Sequence, residues 1–208
     1  MELQYYGANC VRLSSKKANI VIDDNLAALG GKGATKPGDI ALFTSAHGKP
    51  AVETKIIIDQ PGEYEVSDVS IQGIAARGHM DEDKQKTATI YKLVADDVRI
   101  AVVGHVHPDL TSSQLEDLST IDVLIIPVGG NGYTLDPIGA LKLIKEIEPK
   151  LVIPTHFDDK SLNYEVPQQP LEEVLKGLSM EPRETVAKIK LKAGELSDTT
   201  QLVILEKQ

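Results

Sequence analysis

Four of the five histidines follow apolar, strand-like runs: His47 after Leu42-Phe43-Thr44, His79 after Ile71 to Ala76, His105 after Ile100 to Val103, and His156 after Leu151-Val152-Ile153. Layered α/β proteins collect ligands and chemistry in loops beyond the ends of buried strands, because the sheet holds rigidly the side chains those loops carry. Four imidazoles in that setting point to one shared pocket. Neutral imidazole nitrogen suits zinc, copper, nickel or iron better than magnesium or calcium. A histidine taken singly is more often a hydrogen-bonded, partly buried side chain than a ligand. An unmetallated histidine cluster therefore stands beside a metal site as a second reading. His107, followed by Pro108-Asp109, lies off the pattern and is expected to be exposed.

The elements that must position these residues are short. Leu3 to Tyr6, Cys10 to Leu13, Asn19 to Ile22, Ile40 to Phe43, Lys55 to Ile58, Val69 to Ile74, Thr87 to Val94 and Val98 to Val103 read as strands between Gly, Pro, Asp or Lys turns. That density predicts sheets packed face to face. Helices follow, with recognisable starts. Thr111 and Gln114 have the spacing of a capping box, and Asp136-Pro137 opens a helix through Ile147, closed by Pro149. Lys150 to Pro154 is predicted as a strand, Pro170 to Leu178 as a third helix, and Val186 to Leu191 and Gln201 to Leu205 as closing strands.

The 208 residues, 41% of them hydrophobic, are enough for one compact domain spanning 1–208. A net charge of -9, with no cluster of Lys and Arg, argues against nucleic acid as a partner. No apolar stretch has the length of a membrane span and the first residues lack the pattern of a secretion signal, so a cytoplasmic location without membrane contact is expected. The lone Cys10 excludes an internal disulfide and reads as a packed strand residue. Gly30-Gly31-Lys32-Gly33 and Gly129-Gly130-Asn131-Gly132 lack the Lys-Ser/Thr continuation of a phosphate-binding loop and read as turns. No G-x-S-x-G elbow is present, which leaves a serine hydrolase without footing.

Tyr5-Tyr6-Gly7, Ile20-Val21-Ile22-Asp23, Pro61-Gly62-Glu63-Tyr64-Glu65-Val66, Ile125-Ile126-Pro127-Val128-Gly129-Gly130 and Val152-Ile153-Pro154-Thr155-His156 resemble, in order and spacing, the landmarks of the metallo-β-lactamase fold. Within it the chain is most similar to the short hydrolase-like proteins related to ascorbate-6-phosphate lactonase. The resemblance implies an α/β fold, a four-layer αββα sandwich of two mixed β-sheets flanked by helices. It also implies a metal site at one sheet edge, and symmetric self-association of the lactonase kind as an expectation. Glu63 and Glu65, inside a landmark, read as structural. Tyr133 corresponds to a loop beside the family's active site and is a candidate pocket residue.

The resemblance also implies where the metal motif departs. The family carries H-x-H-x-D-H after the strand that here ends Leu42-Phe43-Thr44. Ser45 stands at the first histidine, His47 matches the second, Lys49 replaces the aspartate and Pro50 the last histidine. His79 falls at the next family histidine, His105 follows Gly104 where the family has Gly-Asp, and His156 matches the final histidine. Carboxylates offset and bridge the charges of a metal pair, and an ammonium at the aspartate position would repel a divalent ion. A dinuclear mechanism is therefore not expected. Two readings remain open. One is a non-catalytic protein that uses the fold to bind a small molecule or another protein. The other is a hydrolase of a small anionic, ester or lactone-like substrate that uses one transition metal, zinc foremost, on His47, His79, His105 and His156. Lys49 is expected to stand in for a missing cation in the first reading, and Asp81 to Lys84 to form a solvated loop.

Overall fold

The computed structural model describes residues 1–46, 49–50 and 52–208. The first sheet is built from β1 (Glu2–Gly7), β2 (Cys10–Ser14), β3 (Asn19–Ile22), β4 (Ile40–Leu42) and β5 (Ile56–Ile58), with the short β13 (Ile189–Lys190) added beside β1. The second comprises β6 (Gly62–Val66), β7 (Val69–Ala76), β8 (Ala88–Ala95), β9 (Val98–Val102), β10 (Val123–Pro127), β11 (Leu151–Thr155), β12 (Pro182–Val186) and β14 (Gln201–Leu205), in the order β12-β14-β11-β10-β9-β8-β7-β6. Both are mixed. β3, β4 and β5 run parallel, as do β9, β10, β11 and β14, whereas β6 to β9 form an antiparallel meander.

Alternation along buried strands sorts side chains into separate cores. In β10, Val123 and Ile125 face the first sheet's Leu13, Ile22 and Leu42 in one cluster, while Leu124 and Ile126 join a second cluster with the helices. α1 (Ser112–Leu118), α2 (Pro137–Ile147) and α3 (Leu171–Leu178) all contribute to that second cluster, through Leu118, Leu143 and Val174 among others. The outer face of the first sheet is closed differently. Cys10 and Val21 pack there under Leu26 of a 3-10 turn (Leu26–Leu29) and under Leu162 from a distant loop. The two mixed sheets with three α-helices match the expected sandwich, with loop and 3-10 turn serving as the first sheet's outer layer.

The helix starts form as their spacing predicts. Thr111 accepts from the Gln114 amide while the Gln114 side chain accepts from the Thr111 amide, and Asp136 caps α2 at Gly139. The predicted strand from Val186 to Leu191 needs correction. The chain changes sheets within it, because β12 ends at Val186 beside β14 and β13 begins at Ile189 beside β1. One hydrophobic run thus served two cores, and Ala187 and Lys188 make the crossing. The landmark Gly62–Val66 is an edge strand with Glu63 and Glu65 exposed. No described helix is long and apolar enough to cross a membrane.

Candidate functional site

β7 and β9 share a direction, because two antiparallel steps separate them, and β9, β10 and β11 are parallel. The loops after these strands therefore emerge on one side, beside those after β3 and β4 of the first sheet. Three residues just past strand ends have left-handed backbone: Asp23 (φ 50°), Gly104 (φ 58°) and His156 (φ 54°). Such conformations are unfavourable for most side chains and persist where the surroundings enforce them, often at functional sites. At Gly104 the need for glycine is steric as well. A Cβ there would lie 2.3 Å from Thr44 Oγ1, so the turn that presents His105 seats its backbone directly on the first sheet.

The rings of His105 and His156 meet edge to face, 4.6 Å apart at 84°. Tyr133 packs on His105 at 4.9 Å, and Tyr164 on His156 at 5.1 Å. These rings border a cavity of about 260 Å³ whose walls also include Asn9, Asp23 and Thr44. A second cavity, of about 210 Å³, has Thr44, Ser45, His105 and Tyr133 in common with it and adds His79 and Met80. His79 is joined to this group through its backbone, its amide donating to the His105 carbonyl at 2.8 Å.

Burial sets the charge of the site. It lowers the His105 pKa to about 3, helped by the neighbouring His156 and His79. His156 is lowered to about 4 by burial, against the opposing hydrogen bond from Gln168, whose Oε1 lies 3.0 Å from Nδ1. His79 is also lowered, by burial first. All three rings are thus neutral at pH 7. With Gln168 Oε1 as acceptor, the His156 proton sits on Nδ1 and leaves Nε2 a lone pair. His105 Nδ1 is enclosed without a partner. Asp23 is the buried acid. Its Oδ1 and Oδ2 accept from the Thr44 amide and hydroxyl at 2.7 and 2.6 Å, yet burial outweighs both bonds and raises its pKa to about 6.

The predicted site residues divide. His105 and His156 meet at the first cavity and His79 lies with His105 at the second, Tyr133 lines both cavities, and Ser45 is an exposed residue on their shared wall. His47 lies outside the described residues. Lys49 and Pro50 line a separate surface depression with Val52 and Glu53, so neither borders either cavity. His107 is not exposed as expected: its side chain is 24% accessible and its ring stands 6.5 Å from that of His79. The apolar stretch around Val106 tucks it inward. Asp81 turns its carboxylate to the Gly78 and Thr87 amides and the Thr87 hydroxyl, bracing its own loop. Asn9, Asp23, Thr44, Tyr164 and Gln168 were missed. Only Asp23 carried a signal, as the end of a family landmark.

The donor set does not fit a pair of divalent cations. Among the described residues no three His, Cys, Asp or Glu side chains are grouped to hold a metal ion. Of the acids nearby, Asp23 is committed to Thr44 and Asp136 to the start of α2, while Glu165 stands exposed at the rim. What the arrangement offers is a small polar cavity with neutral imidazole and phenol walls, supported from behind by Gln168. Gly129 keeps that support in place. A Cβ at Gly129 would fall 2.0 Å from Gln168 Oε1 and 2.1 Å from the His156 carbonyl oxygen. Gly129→Ala is expected to cost about 1–3 kcal/mol through overpacking and to release His156 from Gln168. Denaturant unfolding and the His156 imidazole NMR signals test both effects, and unchanged His156 signals would refute the second.

Residues 2–156 match the model of a beta-lactamase superfamily domain. Two curated relatives share shorter segments. A UPF0173 metal-dependent hydrolase from Enterococcus faecalis is 34% identical over 67 residues, 32% of this chain and 30% of the relative. Another from Desulforamulus reducens is 43% identical over 42 residues, 20% and 18% of the two chains. The chain therefore matches less than a third of either relative's length. Two crystal structures share the fold. A Thermotoga maritima member of the metallo-β-lactamase superfamily, assigned as a Zn-dependent hydrolase, superposes with a TM-score of 0.76 at 23% identity, covering 99% of both chains. Igni18, a metallo hydrolase from Ignicoccus hospitalis, gives 0.61 at 17% identity over 86% of this chain and 90% of its own.

Proposed function

This chain belongs to the metallo-β-lactamase superfamily, and we propose that within that family of metal-dependent hydrolases it binds a small molecule without two-metal hydrolysis. The observation that carries this reading is the pairing of His105 and His156 at 4.6 Å, with no group of three His, Cys, Asp or Glu among the described residues placed to hold a metal ion. Two-metal hydrolysis needs bridging acids and an open coordination position for water. By the sequence resemblance Lys49 and Pro50 take the place of family ligands, and both line another part of the surface. Fold kinship does not supply the chemistry, which resides in the site.

One observation favours a second reading, hydrolysis with a single transition metal. The His105 Nδ1 is enclosed and unpartnered, and both rings are held in the neutral state that ligation requires. Three histidines with an open position would make such a site competent, whereas four would close it. Elemental analysis of protein purified without added metal separates the two. The binding reading expects well under one ion per chain and no change in His105→Ala or His156→Ala. About one ion per chain, lost in both variants, would establish the second reading instead.

A further inference from the structure

We propose that the cavity between Tyr133 and Tyr164 selects a small organic cation, such as a substituted ammonium, over anions and neutral molecules. The proposal rests on the small-molecule reading above and names its ligand class. Sixteen described residues line the cavity and none of these is Lys or Arg, while Asp23 and Glu165 are the acids among them. An anion entering there would find no positive side chain to replace its hydration.

The walls suit a cation in a second way. Tyr133, His105, His156 and Tyr164 form a continuous run of ring contacts, at 4.9, 4.6 and 5.1 Å in that order, with Tyr133 also 5.8 Å from His156. Aromatic faces carry negative potential and attract ammonium groups, most strongly where water is excluded. Glu165 adds a formal charge at the rim: it is exposed, lines the cavity, and stands close enough to Tyr133 to help raise its phenol pKa. The protein's net charge of -9 works in the same direction, drawing cations toward the molecule as a whole. Volume limits the guest. At about 260 Å³ the space lies below that of a typical drug-sized pocket, so a compact ammonium compound is the appropriate class.

The test uses choline, its uncharged isostere 3,3-dimethylbutan-1-ol, and acetate as probes, each titrated into the 208-residue protein at low salt and followed by NMR of the tyrosine and imidazole signals. Choline is expected to bind about tenfold more tightly than the isostere. Tyr133→Leu should weaken choline about tenfold and Tyr133→Phe by less than about twofold, because the ring and not the hydroxyl carries the attraction. Glu165→Gln should weaken it about two- to threefold, and less so at high salt. Tyr133 and Glu165 are not fully buried, so these variants should fold, and their amide spectra confirm it. Equal binding of choline and its isostere would overturn the charge preference. Preferential binding of acetate would overturn the inference while leaving a small-molecule site in place. Loading of a stoichiometric transition metal with none of the probes bound would remove the underlying reading as well.

Discussion

Arg12→Met is expected to destabilise the fold by about 3–5 kcal/mol, because it leaves a buried carboxylate without its counter-charge. Arg12 on β2 reaches Asp39 with both guanidinium nitrogens, at 2.7 and 2.8 Å, and the two side chains are only 6% and 4% exposed. Its Nη1 also donates to the Ala34 carbonyl at 3.1 Å, and Asp39 accepts from the Lys36 amide at 2.7 Å. The pair therefore fastens the long loop before β4 to the face of the first sheet. Its other end is held by Asp24, whose Oδ2 accepts from the Ala34 and Thr35 amides and the Thr35 hydroxyl. Asn25 and Leu29, within this strapped loop, line the cavity beside His156. Loss of the clamp should therefore reach the site. Replacing both partners, Arg12→Met with Asp39→Leu, should restore most of the stability, since the desolvation cost of the pair disappears with its attraction. Urea unfolding at pH 7 checks both variants. A single variant that loses less than about 1 kcal/mol would mean the pair is hydrated and of little consequence.

How much of this was legible from sequence depends on the range of the interactions concerned. Strand ends were visible because hydrophobic runs are local, and so the placement of His105 and His156 side by side, with His79 on the next loop, followed once the fold was identified. Capping at Thr111 and Asp136 was visible for the same reason: donor and acceptor lie three residues apart. Arg12 with Asp39 and Thr44 with Asp23 were not visible, since each joins segments more than twenty residues apart and a lone charged residue in a strand gives no partner. Gln168 carried no signal, because its role depends on the loop from Pro167 passing behind His156. The split between β12 and β13 was lost for another reason. Both halves satisfy the same strand pattern, and only the sheet they join differs.

Acidification from pH 7.5 to pH 4.5 is expected to lower the stability of chelator-treated protein by several kcal/mol, with His105 and His156 as the main cause. In the unfolded chain both rings take up protons as the pH falls below about 6.5, whereas the folded protein resists until about pH 4 at His156 and about pH 3 at His105. Their contribution is fully present above the unfolded value and is lost as pH falls toward the folded ones. Asp23 acts with the opposite sign. Burial raises it from 3.8 to about 6, so the folded form holds a proton that the unfolded chain has released, and stability is lost as pH rises through that interval. This contribution is about 3 kcal/mol at most, whereas the two histidines together reach on the order of 5 kcal/mol or more, even with their mutual repulsion counted once. The histidines therefore prevail below pH 6. Asp23→Asn provides the internal control, because an amide can accept from the Thr44 amide and donate to the Thr44 hydroxyl without a buried charge. That variant should gain about 1–3 kcal/mol at pH 7.5 and lose stability more steeply on acidification, since the opposing carboxyl is gone. Stability that stays level between pH 8 and pH 5 in both proteins would show that the imidazole pair is open to water.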